Sequence, residues 1–218
     1  MKKKIVFTFL FQLMLLAAQA QSRGTGMHNG HDWVDLGLSV KWATCNVGAN
    51  KPEDYGGYYA WGETSTKSNY TWSNCFDCLD EDDYGDRWRV YKIGGKTKLE
   101  PNSGHDTARE NWGGSWRMPT IGELEELNSK CTWRWTTKGG HNGYLVTGPN
   151  GNSIFLPAAG CLNGTSFDGM GENGHYWSST LGSSASSNRA QGLGFSNSRL
   201  VTGNNGRRFG RSVRPVTE

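Results

Sequence analysis

The residue types best suited to contacting a ligand are concentrated near the C-terminus, from Leu181 to Ser212. Of these 32 residues, 22 are Ser, Asn, Gly or Arg. Hydroxyl and amide groups form adaptable hydrogen bonds, and a guanidinium group offers a rigid set of donors, so these residue types recur in adaptable binding surfaces. Aromatic residues, which usually anchor high affinity, are nearly absent from the stretch. This composition favours modest affinity or an anionic target.

The spacing of the apolar residues in this stretch predicts strands that lie beneath an exposed polar layer. Leu193 and Phe195 alternate with glycine, and Leu200 and Val201 form a second apolar pair. The polar residues between them are the candidate ligand contacts, and they are predicted to face water. They are Ser183, Ser184, Ser186, Ser187, Asn188, Arg189, Ser196, Asn197, Ser198, Arg199, Asn204, Asn205, Arg207 and Arg208.

Charge is distributed unevenly along the chain, although the net charge is only +3. No acidic residue lies between Glu172 and Glu218, whereas six arginines do; the N-terminal half carries the acidic run from Asp77 to Asp86. A positive C-terminal face would speed encounter with acidic partners, and a merely solvated surface is the alternative. We expect an unknown protein, glycan or acidic polymer as the ligand, and no nucleic acid.

Catalytic motifs are not indicated by the residue pattern. The sequence has no Gly-x-Ser-x-Gly elbow, and no Ser or Cys lies in a recognisable activating motif. Glu123, Glu125 and Glu126 are explained by the positive end of a helix dipole, and a glycosidase would need two carboxylates that face one cleft. The sequence therefore predicts a protein that is not an enzyme and has no catalytic residue.

The cysteines and acidic residues give little indication of a metal site. Cys75 and Cys78 form a lone C-x-x-C, and no second pair completes a zinc site. The run from Asp77 to Asp86 leaves calcium as the one candidate ion, but it lacks the ligand order of an EF-hand loop. We predict no metal and no cofactor. The five cysteines permit two disulfides and leave one thiol over, with the pairing open.

The N-terminal residues predict export. Lys2, Lys3 and Lys4 precede an apolar run, and Ala18-Gln19-Ala20 supplies a small-x-small cleavage pattern, so residues 1–20 are predicted to be a signal peptide. The run is too short to be a comfortable membrane span, and no second one follows. The mature protein is expected to be secreted, periplasmic or cell-surface. It would have a flexible lead-in at 21–31 and a single domain at 32–218.

Helix and strand signals predict an α+β domain. Thr120 and Glu123 fit a capping box in front of the apolar positions Ile121, Leu124 and Leu127, and a shorter helix is predicted from Asp106 to Trp112. Tyr144–Thr147 and Ser153–Leu156 predict a hairpin with a five-residue loop. Further short strands are predicted at residues 32–38, 39–44, 58–61, 176–177, 193–195, 200–201 and 212–216.

Several short motifs resemble the Fibrobacter succinogenes major paralogous domain, which is widespread in exported Bacteroidetes-type proteins. The likeness extends from about Asp32 to Val216. The motifs, in order, are Val34–Leu38, Trp42–Ala49, Tyr58–Glu63, Trp112–Thr120, Cys131–Trp133, Asn152–Gly160, Tyr176–Ser179 and Ser212–Val216.

The resemblance implies a C-type-lectin-like domain with two helices and several short, mostly antiparallel strands. Formylglycine-generating enzymes share this fold but need paired cysteines near the C-terminal half, and here Cys161 is the last cysteine. The fold is also similar to the variable proteins of diversity-generating retroelements, in which the C-terminal part displays the altered residues. Asn, Ser, Gly and Arg are linked by changes at the adenines of one Asn codon. Diversification of the candidate contacts is one hypothesis, and low-complexity polar loops are the interpretation that the sequence favours over it.

Three functions follow from this resemblance and composition. The first is an exported, non-enzymatic ligand-binding protein whose C-terminal segment forms the contact surface. The second is a structural or adhesive component of the cell surface. The third, and weakest, is an enzyme on a formylglycine-generating-enzyme-like fold.

Overall fold

A computed structural model describes residues 24–75, 98–182 and 188–218. Several predictions lie outside these described residues. They are the signal peptide, the first residues of the lead-in, the acidic run from Asp77 to Asp86, Cys78, and the candidate contacts Ser183, Ser184, Ser186 and Ser187.

Within the described residues, the chain forms twelve short strands, one 3₁₀ turn (Trp72–Asn74) and two α-helices. The helices are α1 (Thr107–Trp112) and α2 (Ile121–Lys130). The strands are β1 (Thr25–His28), β2 (His31–Asp35), β3 (Lys41–Ala43), β4 (Thr132–Lys138), β5 (His141–Thr147), β6 (Ser153–Pro157), β7 (Cys161–Asn163), β8 (Ser166–Asp168), β9 (Asn173–Leu181), β10 (Arg189–Ser196), β11 (Arg199–Gly206) and β12 (Val216–Thr217).

The strands form small antiparallel sheets. Their orders are β1-β2-β3-β12, β11-β10-β9, β4-β5-β6 and β7-β8, and each pair of neighbouring strands runs antiparallel. Mostly antiparallel sheets with two helices make an α+β arrangement in which strands predominate.

Helix α2 begins at the predicted capping box. The Thr120 hydroxyl accepts a hydrogen bond from the Glu123 amide at 3.3 Å, and the Glu123 carboxylate accepts one from the Thr120 amide at 2.8 Å. Leu124 and Leu127 pack into the core as their spacing predicts. Arg117 holds Glu123 from outside the helix with two parallel bonds of 2.9 and 2.7 Å, which fix the start of the helix.

Helix α1 is also confirmed at the predicted position. The buried Asp106 carboxylate caps it by accepting from the Arg109 amide at 3.0 Å, and it also accepts from the Met118 amide. Gly113 ends the helix with a φ of 65°, a conformation that glycine adopts without steric cost.

The core consists of two apolar clusters, and β9 lies between them. Tyr176 packs into one cluster and Trp177 into the other, so both faces of this strand are buried. Arg214 is a buried arginine whose guanidinium nitrogens are all hydrogen-bonded to neutral groups. Its donors bond to Asn46 Oδ1 at 2.9 Å and to the carbonyls of Ala43, Thr44 and Phe155 at 2.6 to 3.0 Å. The scaffold beneath the C-terminal strands is thus densely packed and hydrogen-bonded.

The prediction of a flexible lead-in is wrong for residues 24–31, because distant aromatic residues order them. Strand β1 pairs with β2, His28 Nε2 accepts from the Ser115 amide at 2.8 Å, and the Trp116 indole donates to the His28 carbonyl at 2.8 Å. The His31 ring stacks on Trp112 with 3.8 Å between centroids.

Two further predictions are corrected. The segment at 58–61 is not a strand, and it forms only an isolated bridge between Tyr59 and Arg211. The structure does not contain the two disulfides that the cysteine count permits, since Cys45, Cys131 and Cys161 are free thiols and Cys75 is disulfide-bonded.

Candidate ligand-binding face

The hairpin of β10 and β11 carries most of the described candidate contacts. Ser196 and Arg199 are paired across it, and the two-residue turn Asn197-Ser198 connects the strands. Asn197, Ser198 and Arg199 are exposed, while Leu193 and Phe195 of the same strand are 0% and 4% exposed. Alternate side chains of β10 are buried in the core, and they anchor the hairpin so that its polar tip lies in the solvent.

The predicted contacts fall into two groups at opposite ends of this hairpin. The register runs from Ser196 opposite Arg199 at the tip to Arg189 opposite Gly206 at the open end. Seven steps of about 3.3 Å separate these two pairs by about 23 Å. The tip group comprises Ser196, Asn197, Ser198 and Arg199. The open-end group comprises Asn188, Arg189, Asn204, Asn205, Arg207 and Arg208.

Arg207 does not face water, so this part of the prediction is wrong. Its side chain is 1% exposed, and its guanidinium carbon lies 5.0 Å from the centroid of the Trp61 ring. The Trp61 amide also donates to the Arg207 carbonyl at 2.9 Å. Arg207 therefore belongs to the packed base of the face, because the planar guanidinium stacks on a buried indole.

Asn205 is half-buried, and its amide group is used within the protein. Its Oδ1 accepts from Arg211 Nη2 at 2.8 Å, and its Nδ2 donates to the Gly203 carbonyl at 2.8 Å. Asn205 therefore connects the edge strand β11 to an arginine that lies further inside.

Arg208 is half-buried beside two aromatic rings. Its guanidinium carbon lies 4.2 Å from the Phe209 centroid and 5.2 Å from the Trp72 centroid. Its Nη1 donates to Asn163 Oδ1 and to the Tyr70 carbonyl, whereas its Nε has no hydrogen-bond partner. The Arg208 guanidinium is thus held by uncharged hydrogen-bond acceptors and aromatic rings.

Arg211 is the residue that the sequence-based choice of contacts missed. It is 5% exposed, and its guanidinium carbon lies 4.7 Å from the Trp177 centroid and 5.8 Å from that of Phe209. Its Nε and Nη1 have no hydrogen-bond partner. Burial lowers the pKa of Arg211 to about 10, so the side chain is still charged at neutral pH. Phe209 and Arg211 are two residues apart in the sequence, and this spacing is the signal that could have predicted that Arg211 lies beside the Phe209 ring.

A thiol and an imidazole lie near Arg211, and neither is activated. Burial, followed by the charge of Arg211, lowers the pKa of His175 to about 4. Burial raises the pKa of the Cys161 thiol, despite the opposing charge of Arg211. Both groups are therefore neutral at pH 7, and a neutral thiol is a weak nucleophile.

The glycine at position 203 leaves open space at the edge of the sheet. Gly192 pairs with both Trp177 and Gly203, so these three residues form one cross-strand row. A Cβ atom at Gly203 would meet no atom within 4 Å, and Gly203 has no left-handed φ. Asn204, the next residue, is exposed. The edge of this row is therefore open to a ligand.

Metal chemistry finds no support in the part of the chain that the structure describes, since no group of three His, Cys, Asp or Glu there could hold a metal ion. Among the same residues, no helix has both the length and the apolar character needed to cross a membrane.

Comparison with known proteins gives one match. A family model described as a domain of unknown function (DUF8237) matches residues 135–216, which include the whole β10–β11 hairpin and Arg207, Arg208, Arg211 and Arg214. No curated protein and no solved structure matches the chain.

Proposed function

We propose that this chain is an exported, non-enzymatic ligand-binding protein whose contact surface is the β10–β11 hairpin. The observation that carries the proposal is the polar tip. Asn197, Ser198 and Arg199 are exposed in succession, directly above the core residues Leu193 and Phe195. A rigid strand that displays adaptable polar side chains is a common basis for recognition.

Unpaired positive charge supports an acidic ligand. Arg189 and Arg199 are exposed and Arg208 is half-buried, and none of them forms an ion pair with a carboxylate of the described residues. Exposed charges that are not paired within the protein remain available to attract an oppositely charged partner.

The state of Cys161 and His175 supports binding without catalysis. A buried neutral thiol lacks the lowered pKa that a nucleophilic cysteine needs. The formylglycine-generating reaction would also require a second cysteine near this half of the chain, and Cys161 is the last one.

A C-type-lectin-like fold of the Fibrobacter succinogenes major paralogous domain type is part of this proposal. In that fold, the C-terminal strands lie where retroelement-diversified proteins display their altered residues. Sequencing of the gene's surroundings tests the diversified form of the proposal. A reverse transcriptase gene and a near-duplicate template are expected, and the absence of both would rule out diversification.

A second candidate, a structural or adhesive surface component, is favoured by one observation. Phe167 and Met170 are 54% and 42% exposed and lie on and just beyond β8. Light scattering separates the two functions, because assembly predicts a stable oligomer and free ligand binding predicts a monomer.

The ligand-binding proposal is tested on a glycan and protein array with the exported protein. A double variant, Asn197→Ala with Arg199→Ala, should bind at least about tenfold more weakly at an unchanged melting temperature, since it removes exposed contacts only. Lys51→Ala, which removes one exposed charge elsewhere, is the matched control. High salt should weaken binding. Equal binding by the tip variant and the wild type would contradict the proposal.

A further inference from the structure

The open end of the β10–β11 hairpin holds two guanidinium groups that form no ion pair with the residues that the structure describes. Arg208 and Arg211 both lie within 6 Å of the centroid of the Phe209 ring. Neither forms an ion pair with a carboxylate among residues 24–75, 98–182 and 188–218. Arg207, the third arginine at this end, has partners of its own.

Arg211 is the stronger indication, because it is a buried cation that the described protein does not neutralise. Only its Nη2 is hydrogen-bonded, to Asn205, while Nε and Nη1 are buried without a partner. Buried charges in proteins are normally paired, and an unpaired buried donor is unfavourable. A group that supplies negative charge nearby would therefore be bound favourably.

Among the described residues, the neighbouring side chains do not supply that charge. Cys161 lies close enough to Arg211 to interact with it electrostatically, but burial raises the pKa of its thiol, which stays protonated at neutral pH. Asp168 lies opposite Cys161 in the β7–β8 hairpin, yet it forms no ion pair with Arg208 or Arg211. Asn163 and Asn205, which do bond the two guanidiniums, are neutral.

The approach to this pair is open along β11. Gly203 offers free space above the sheet, and Asn205, two residues further on the same face, carries the hydrogen bond to Arg211. Arg208 is half-buried and so has part of its surface in the solvent, although its unpaired Nε is buried. A small anion at this edge would meet Arg208 directly and would lie above the charge of Arg211.

We propose that the open end of the hairpin binds an oxyanion group such as sulfate, with Arg208 as its direct contact and Arg211 as a buried charge beneath it. The guanidinium fork matches the oxygen geometry of such groups. This inference rests on the proposed function and names the chemistry of its ligand. The sulfate would be either a free ion or a group carried on an acidic polymer.

Calorimetric titration with sodium sulfate, at constant ionic strength in sodium chloride, tests the site. The wild type should show saturable binding. Arg208→Gln and Gly203→Val should each weaken binding about tenfold or more, since one removes a charged donor and the other fills the open space. A Cβ atom at Gly203 meets no atom within 4 Å and the backbone there is not in the left-handed region, so Gly203→Val should fold normally. Arg134→Gln removes the same charge from an exposed position on strand β4, outside the proposed contact surface, and should change sulfate affinity less than about twofold.

Dextran sulfate and uncharged dextran identify the source of the group. Binding of inorganic sulfate alone indicates a free ion, and binding of dextran sulfate but not dextran indicates a polymer-borne group. Either result supports the site if Arg208→Gln and Gly203→Val weaken the binding of the sulfate probe. The site is overturned if neither probe saturates the wild type, or if both variants bind like Arg134→Gln. If the tip variant loses binding on the array but the wild type binds no sulfate, the proposed function stands. In that case only the oxyanion site is overturned.

Discussion

The guanidinium carbon of Arg211 lies 4.7 Å from the centroid of the Trp177 ring, and this contact brings a charge against an indole that is fully buried. Arg214, three residues further on, is equally buried but donates four hydrogen bonds to Asn46 and to three carbonyls. The two arginines are therefore similarly buried, but hydrogen bonds replace the lost hydration of Arg214 much more fully than that of Arg211.

We expect replacement of these two arginines by methionine to have unequal effects. Arg214→Met leaves buried carbonyl groups without donors and should lower the free energy of unfolding by about 3 kcal/mol or more. Arg211→Met removes a charge with only one internal hydrogen bond and should change it by less than about 1 kcal/mol. Urea unfolding at pH 7.5 measures both values. Equal losses would show that Arg211 is a structural residue of the same kind as Arg214.

His175 should make the protein less stable in mild acid. Its folded pKa of about 4 lies below its ordinary value of 6.5, so the folded state resists protonation. Its contribution to stability is present above pH 6.5 and is lost as the pH falls towards 4, by up to about 3 kcal/mol. His175→Gln should lose less stability across this range than the wild type, which unfolding at pH 7 and pH 4.5 would measure.

The same histidine reports the charge of Arg211. In Arg211→Met, the pKa of His175 followed by NMR should rise, because one of the two causes of its lowering is removed. An unchanged pKa would mean that the guanidinium does not act on the imidazole.

Local signals in the sequence predicted those helices and strands that are stabilised by residues close to them in the chain. The capping box of Thr120 and Glu123 and the cap at Asp106 lie within a few residues of the helices that they begin, so both helices were found at their observed positions. The hairpin of β5 and β6 was found for the same reason.

Contacts between distant residues were not predictable in this way. Arg207, Arg208 and Arg211 are the same residue type in one short segment of the sequence. Their burial differs because they pack against different tryptophans, Trp61, Trp72 and Trp177 respectively. The order of β1 likewise depends on Trp112 and Trp116, more than 80 residues away. Composition located the candidate face, but it could not separate the arginines that form its base from those that reach the solvent.

Asp106 should give an opposite pH dependence. Burial raises the pKa of its carboxyl from 3.8 to about 6, against several backbone hydrogen bonds that lower it. The stability contributed by its neutral form is present below pH 3.8 and is lost as the pH rises through 6, by about 3 kcal/mol. Asp106→Asn keeps a capping oxygen without the charge, so the stability of this variant relative to the wild type should rise between pH 4 and pH 7. Parallel stability curves would contradict the raised pKa.

Two glutamates of helix α2 form a matched pair for testing the scaffold. Glu123 receives two bonds from Arg117 and one from the Thr120 amide, so Glu123→Gln should lower the free energy of unfolding by about 1–3 kcal/mol. Glu125 is exposed, and Glu125→Gln should change it by less than about 0.5 kcal/mol. Thermal unfolding compares the two variants. Similar losses in both would show that the helix charge, and not the Arg117 contact, stabilises this region.

Export makes a prediction about the mature chain. Cleavage after Ala20 would leave Gln21 as the first residue of the exported protein. Mass spectrometry of protein recovered outside the cytoplasm should give the mass of residues 21–218. Recovery of only the uncleaved chain from the cell interior would contradict export.

Hydrogen exchange in the presence of dextran sulfate is the most direct test of where the protein binds an acidic ligand. The account predicts slower amide exchange in the Asn197-Ser198 turn and in the edge strand β11, with Arg208→Gln reducing the effect at the open end. Slowed exchange confined to other surfaces, such as helix α2, with residues 188–206 unchanged would contradict the claim that this hairpin is the contact surface.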